Sequence, residues 1–168
     1  MCTLDILVKV ATVIIALFNV VFTVIIFRFK TNKDNKEKDC DRNIQLLKTL
    51  VLDHNLSNYY QIFEHIEHHL IALKSEQLTL PIKQEIDLKL ADYFIQLRNK
   101  FYDILLAIDD ALYERIKTEI DGLQTNLIDT IFDPGINLNH TPKYDELITQ
   151  KLVVTKTEII RMLFQYRG

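Results

Sequence analysis

The chain has 168 residues with 20 basic and 23 acidic side chains, which gives a formal net charge of −3. Nucleic-acid-binding proteins usually show a basic excess, so this balance argues against that class. Three glycines and three prolines are few for a loop-rich or all-β fold, while Leu, Ile, Lys, Glu and Asp are abundant. We therefore expect an all-α fold with one modest core.

The segment Ile6–Phe27 predicts a transmembrane helix. It has no charged residue from Val10 to Phe27, and its 22 residues would rise about 33 Å as a helix, enough to cross a hydrocarbon core of about 30 Å. A secretory signal peptide is the alternative. It would have a basic start and a small-residue cleavage site, and neither is present. We predict an anchor domain over residues 1–30.

Polar or small residues recur every three or four positions within this segment, at Lys9, Thr12, Ala16, Asn19 and Thr23. On a helix this spacing places them on one face. Membrane helices associate through such faces, and a ring of them would line a pore with Lys9 at its outer mouth. The stripe therefore predicts a homo-oligomer. Pairing with a different membrane protein and a chance pattern on a single-pass anchor are the alternatives.

The charges after the predicted span indicate its orientation. Five basic residues follow it closely: Arg28, Lys30, Lys33, Lys36 and Lys38. The positive-inside rule places the domain that follows in the cytoplasm. Cys2 and Cys40 lie on opposite sides of the span and cannot form a disulfide within one chain, which suits a reducing compartment.

Residues 31–42 form a charged juxtamembrane segment in which both signs alternate with Asn and Thr. They predict either a solvated linker or a polar continuation of the membrane helix. The basic excess at the start of this segment also suits contact with anionic lipid headgroups.

Residues 43–168 carry three long stretches with apolar residues at helical spacing. The first runs from Asn43 to Leu73, with a dent expected near residues 55–58. The second runs from Ile82 to Ile131, and the third from Lys143 to about Tyr166. We predict a cytoplasmic bundle of three or four antiparallel helices.

The second stretch is too long for an unbroken helix in so small a domain. We expect a bend or break near Asp109–Asp110 or at Gly122, where helix propensity falls. Thr141 is the expected cap of the last helix, with Pro142 at the first helical position.

Three histidines in one stretch raise the question of a metal site. His65 and His69 are one helical turn apart and His68 lies beside both, but a closed site would need a third ligand such as His54 or His140. The alternative is a polar helix face, because Phe63 and its apolar neighbours take the buried side. We predict no metal.

No pattern for enzyme chemistry stands out elsewhere in the chain. The HExxH order and a glycine-rich phosphate loop are both absent from the sequence, and no serine sits in a nucleophile-elbow context. We predict no cofactor, and no small-molecule substrate is evident.

The stretch Arg98-Asn99-Lys100-Phe101-Tyr102-Asp103-Ile104 resembles the start of the Arg–polar–x4–6–His signature of HEPN domains, which are small helical bundles that often act as RNases. The resemblance implies a HEPN-like bundle in which Arg98 and Asn99 are retained. The catalytic histidine is missing, because no arginine has a histidine five to seven residues downstream. RNA cleavage is therefore not expected. The alternative is an ordinary surface Arg–Asn pair.

The whole layout resembles small single-span accessory proteins of type VI-B CRISPR systems, which join an N-terminal span to a helical domain with a divergent HEPN-like motif. The resemblance implies assembly into a membrane pore that strengthens antiphage defence. It further implies a bacterial inner membrane and an RNA-guided nuclease, or its RNA, as a partner.

Three functions follow as hypotheses. The first is a homo-oligomeric membrane protein that forms a pore or perturbs the membrane. The second is a membrane-tethered helical scaffold that binds a protein partner. The third is a HEPN-type RNA-binding or RNase module that uses Arg98 and Asn99.

Overall fold

The first helix, α1, spans Cys2–Leu46 and is 45 residues long. The structure is a computed structural model that describes the backbone of residues 2–168 and the side chains of residues 18–168. Residues 31–42 lie within α1, so they continue the helix and do not form a solvated coil. No glycine or proline precedes Pro81 in the sequence, so nothing in this stretch breaks the helical hydrogen bonds.

Five further α-helices follow, and residues 2–168 contain no strand, which confirms the all-α prediction. Their bounds are α2 Leu56–Leu70, α3 Leu80–Leu97, α4 Asp110–Phe132, α5 Thr141–Tyr144 and α6 Gln150–Gln165. Segments of π-helix lie at Leu47–Leu52, Arg98–Tyr102 and Asp145–Thr149, and 3₁₀ segments at Ile71–Lys74 and Asp103–Ala107.

The predicted break near Asp109–Asp110 is confirmed. Asp109 is extended, and its carboxylate accepts the Leu112 N–H at 2.7 Å, which caps the start of α4. The alternative break at Gly122 is wrong, since Gly122 lies inside α4. A glycine costs a helix about 1 kcal/mol, and the buried neighbours Ile120 and Leu123 hold the helix against that cost.

Two further predictions need correction. The stretch Asn43–Leu73 is interrupted and not merely dented, because helical structure ends at Leu52 and begins again at Leu56. There the Asn55 side-chain amide donates to the Leu50 carbonyl oxygen at 2.6 Å. Thr141 does not cap the last helix. It is the first residue of α5, and His140 precedes it without a side-chain cap bond.

The chain divides into two compact units, Met1–Arg42 and Asn43–Gly168. In the second unit, neighbouring helices run antiparallel. Tyr59 near the start of α2 contacts Phe101 just after α3, while His69 near the end of α2 contacts Tyr93 within α3. Similarly, the Tyr166 hydroxyl after α6 donates to the Asp109 carboxylate at the start of α4, at 3.1 Å.

In the first unit, every apolar side chain from Phe18 to Phe29 is exposed on α1. Within the residues whose side chains are described, no helix combines the length and the apolar character that crossing a membrane requires. The first part of the predicted span, residues 6–17, lies outside those residues, as do the side chains of Lys9, Thr12 and Ala16.

Tyr59 joins three helical elements of the second unit. Its ring lies 4.8 Å from the Phe63 ring on its own helix and 4.5 Å from the Phe101 ring of the π segment. Its hydroxyl donates to the Lys156 carbonyl oxygen of α6 at 2.8 Å. Burial raises the pKa of Tyr59, so this hydroxyl stays protonated and remains a donor.

We expect Tyr59→Phe to lower the free energy of unfolding of fragment 43–168 by about 1–2 kcal/mol, since the Lys156 carbonyl loses its donor while the ring packing is kept. Urea unfolding followed by circular dichroism measures this. The control is Tyr60→Phe, because the neighbouring Tyr60 is 46% exposed and should change stability by less than about 0.5 kcal/mol. Equal effects of the two variants would contradict the role given to Tyr59.

Candidate functional site

Two residues of the predicted polar stripe, Asn19 and Thr23, lie in the described part of α1 and are exposed. The Thr23 hydroxyl donates to the Asn19 carbonyl oxygen at 2.7 Å, so its donor is satisfied within the helix. The Asn19 side-chain amide makes no hydrogen bond to any residue in 18–168. Of these two residues, Asn19 is therefore the one whose side chain can donate to and accept from a partner.

The HEPN-like residues Arg98 and Asn99 open the π segment Arg98–Tyr102. In this turn the Asp103 N–H donates to the Arg98 carbonyl oxygen, five residues back. The same geometry brings the side chains together, and Arg98 Nε donates to Asp103 Oδ1 at 3.2 Å. In a regular α-helix, residues five apart would point in different directions. The π segment is therefore what pairs Arg98 with Asp103.

The surroundings of Arg98 are acidic and aromatic. A groove of about 180 Å³ beside it is lined by eight residues: Ala91, Phe94, Ile95, Arg98, Tyr102, Ile120, Asp121 and Gln124. Burial, and then the charge of Asp121, raise the pKa of Tyr102 to about 12. The hydrogen bond that Arg98 donates to Asp103 raises the pKa of Arg98. The guanidinium is thus engaged by the Asp103 carboxylate, and the Asp121 carboxylate lines the groove beside it. This arrangement does not favour an RNA phosphate.

Asn99 does not join this cluster. Its side chain is exposed and makes no hydrogen bond to the described residues, and it does not line the groove beside Arg98. No histidine lines that groove either. The structure brings Arg98 together with Asp103, Tyr102 and Asp121, but it does not assemble an Arg–Asn–His set in the groove.

His65 and His69 flank one aromatic ring. Each imidazole lies 6.0 Å from the Tyr93 ring of α3. Burial lowers the pKa of His69, and its Nε2 is enclosed without a hydrogen-bond partner among the described residues. No set of three or more His, Cys, Asp or Glu side chains arranged to hold a metal ion occurs in the described part of the chain. These two histidines pack against Tyr93 instead.

The sequence reasoning missed Asp103 and Tyr102 as neighbours of Arg98. Tyr102, four residues after Arg98, shares its face even at α-helical spacing, whereas Asp103, five residues after it, would point away. A signal existed in the stretch itself, because an aspartate five residues after an arginine fits a π turn. Nothing in the apolar spacing marks where such a turn begins.

Comparison of the chain with protein-family models, with curated proteins and with solved structures finds no match.

We expect the wild-type fragment 43–168 to cleave no RNA, with or without divalent metal. The double variant Arg98→Ala with Asn99→Ala should therefore cleave none either. The lost ion pair is exposed, so stability should fall by less than about 1 kcal/mol. Incubation with labelled RNA and urea unfolding measure the two effects.

The matched control is Arg161→Ala, which breaks the exposed Arg161–Glu158 pair on α6. Cleavage by the wild type that disappears in the double variant but persists in Arg161→Ala would establish the HEPN-type activity and contradict this prediction.

Proposed function

We propose that the chain is a homo-oligomeric membrane protein that forms a pore or a membrane-perturbing assembly. In this proposal α1 crosses the bilayer over Ile6–Phe27, and residues 43–168 form a cytoplasmic helical bundle. The apolar sequence of the segment supports the crossing. So does the helical backbone from Cys2 onward, because all of its interior peptide groups are hydrogen-bonded within the helix.

The observation that carries the proposal is the polar stripe centred on Asn19. An asparagine in hydrocarbon is unfavourable unless its amide finds a hydrogen-bond partner. Thr23 uses its hydroxyl within its own helix, at 2.7 Å from the Asn19 carbonyl oxygen, so it does not serve as a donor to the Asn19 amide. The same face of another copy, or water in a lumen between copies, supplies that partner.

The helical bundle suits a role in assembly better than a catalytic one. Arg98 is engaged by Asp103, and the groove beside it holds a second carboxylate in Asp121. The resemblance to type VI-B CRISPR accessory proteins adds a setting, in which the assembly acts in antiphage defence beside an RNA-guided nuclease.

The second candidate is a membrane-tethered scaffold that binds a protein partner. It is favoured by two apolar residues of α3 that lie seven positions apart on one helix face and face solvent, Leu88 at 73% and Ile95 at 57% exposure. In this alternative the span only localises the bundle, and the polar stripe has no function of its own.

We expect the region after Arg28 to lie in the cytoplasm, because basic residues flank that end of the proposed span. An alkaline phosphatase domain, which is active only in the periplasm, should stay inactive when fused after Gly168 in a bacterial host. A cytoplasmically active reporter at the same position is the control. Phosphatase activity of the fusion would reverse the proposed orientation.

We expect Asn19→Leu to insert and assemble near normally, because interhelical bonds of this kind contribute only about 0.6 kcal/mol on average. In a pore, however, it replaces a central polar ring by an apolar one and favours dewetting of the constriction. Dye or ion leakage from vesicles that contain the full chain should therefore be lost.

The matched control is Val20→Leu, one residue further round the same helix, which should leave leakage unchanged. The pore proposal fails if the wild type shows no leakage under any activating condition. It also fails if Asn19→Leu and Val20→Leu behave alike. Detergent-extracted particles that contain one chain each would refute the homo-oligomer itself.

A further inference from the structure

The outward side of α3 forms a recess of the kind that receives a side chain from another helix. Leu88, Ala91, Asp92 and Ile95 occupy positions i, i+3, i+4 and i+7, which are the four corners of such a hole on a helix surface. Leu88 and Ile95 are both exposed and stand about 10 Å apart along the axis. The small Ala91 leaves the space between them open. We call these four residues the α3 face.

The outward side of α6 offers a side chain that suits this recess. Phe164 is 67% exposed, and Val153 is 46% exposed. Thr157 and Arg161 are also exposed, and all four residues lie within about 80° of one another round the helix. We call them the α6 face, in which an aromatic ring stands out beside smaller side chains.

The surroundings of the α6 face are basic. Residues 150–168 contain four basic side chains and one acidic one, Glu158. Glu158 pairs with Arg161. Lys156 and Arg167 lie within one turn of Val153 and Phe164, and neither lysine nor arginine forms an ion pair within residues 18–168. The α6 face is therefore apolar with a positively charged border.

The α3 face carries acidic groups instead. Asp92 is one of its corners, and Glu85 lies three residues before Leu88 on the same side of the helix. Both carboxylates are exposed, and neither forms an ion pair in the described part of the chain. They are therefore available to basic groups from outside the bundle.

Two basic residues lie near the α3 face without occupying it. Lys89 is about 100° round the helix from Leu88, toward α2, where its charge acts on His69. Arg98 follows Ile95 by three residues, but it is already paired with Asp103. The charge at the recess itself is that of Asp92.

The order of the helices places the two faces on opposite sides of the bundle. Each long helix of residues 43–168 packs on two others, in the order α2, α3, α4, α6 and back to α2. Because α3 and α6 occupy opposite corners, a contact between the two faces leaves one face of either kind free. Head-to-tail contacts of this type continue from copy to copy, and they close into a ring when each copy is rotated relative to the last.

We propose that the α6 face of one copy packs on the α3 face of the next copy, with Phe164 seated between Leu88 and Ile95. This inference rests on the homo-oligomer proposed above and names the surfaces through which its helical bundles touch. The basic border of one face then opposes the acidic groups of the other. The apolar α3 residues that favour a scaffold are covered by another copy of the chain.

Cysteine cross-linking of the full chain in membranes tests this contact. Cys2→Ser and Cys40→Ser remove the native thiols, and Asp92→Cys with Arg161→Cys places one new thiol on each face. A bismaleimide with a short spacer should link the doubly substituted chains into a ladder of dimers, trimers and larger species. Chains with only one of the two new thiols should give no ladder, because like faces do not meet in a head-to-tail contact.

The aromatic ring is tested in the doubly substituted chain. Phe164→Ala should slow cross-linking about tenfold, as expected for an aromatic residue at the centre of an interface. The matched control is Leu106→Ala, which removes an exposed apolar side chain outside both faces and should leave the rate unchanged. Since both side chains are exposed, both variants should keep the helical circular dichroism spectrum of the parent chain.

Several results would overturn the proposal. Dimers formed by Asp92→Cys alone or by Arg161→Cys alone would show a two-fold contact, and an unchanged rate with Phe164→Ala would show that the ring is not seated in the recess. A single cross-linked band that contains a different protein would assign the α3 face to the scaffold alternative.

Absence of any ladder would also overturn the contact, and the mass of the detergent-extracted particle then separates two cases. A particle of many chains keeps the homo-oligomer and removes only these faces from its assembly. A particle of one chain removes the proposed function as well.

Discussion

The segment Ile6–Phe27 consists almost entirely of apolar residues, and removing such residues from water is favourable. In the described part of this segment, Phe18 to Phe27, the apolar side chains are exposed on every side of the helix. The core of residues 43–168 is built from that unit's own side chains. In the function proposed above, lipid covers these side chains together with other copies along the polar stripe.

The apolar spacing was sufficient to predict an all-α chain, because a helix that buries one face has an apolar residue at every third or fourth position. The break before α4 was also predictable, since Asp109 and Asp110 combine low helix propensity with a capping side chain. The predicted break at Gly122, in contrast, was wrong. Propensity is a local quantity of about 1 kcal/mol, and the packing of Ile120 and Leu123 outweighs it.

The π segments were beyond the reach of the sequence reasoning. A π turn shifts the hydrogen-bond register by one residue, and the segment Arg98–Tyr102 is only five residues long, too short for the apolar spacing to reveal the shift. The π turn nevertheless changes the chemical surroundings of Arg98. The shift places Asp103 within 3.2 Å of the guanidinium, and the residue that most resembles an RNase motif becomes half of an ion pair. The α-helical spacing assumed for the motif therefore did not predict Asp103 as a neighbour of Arg98.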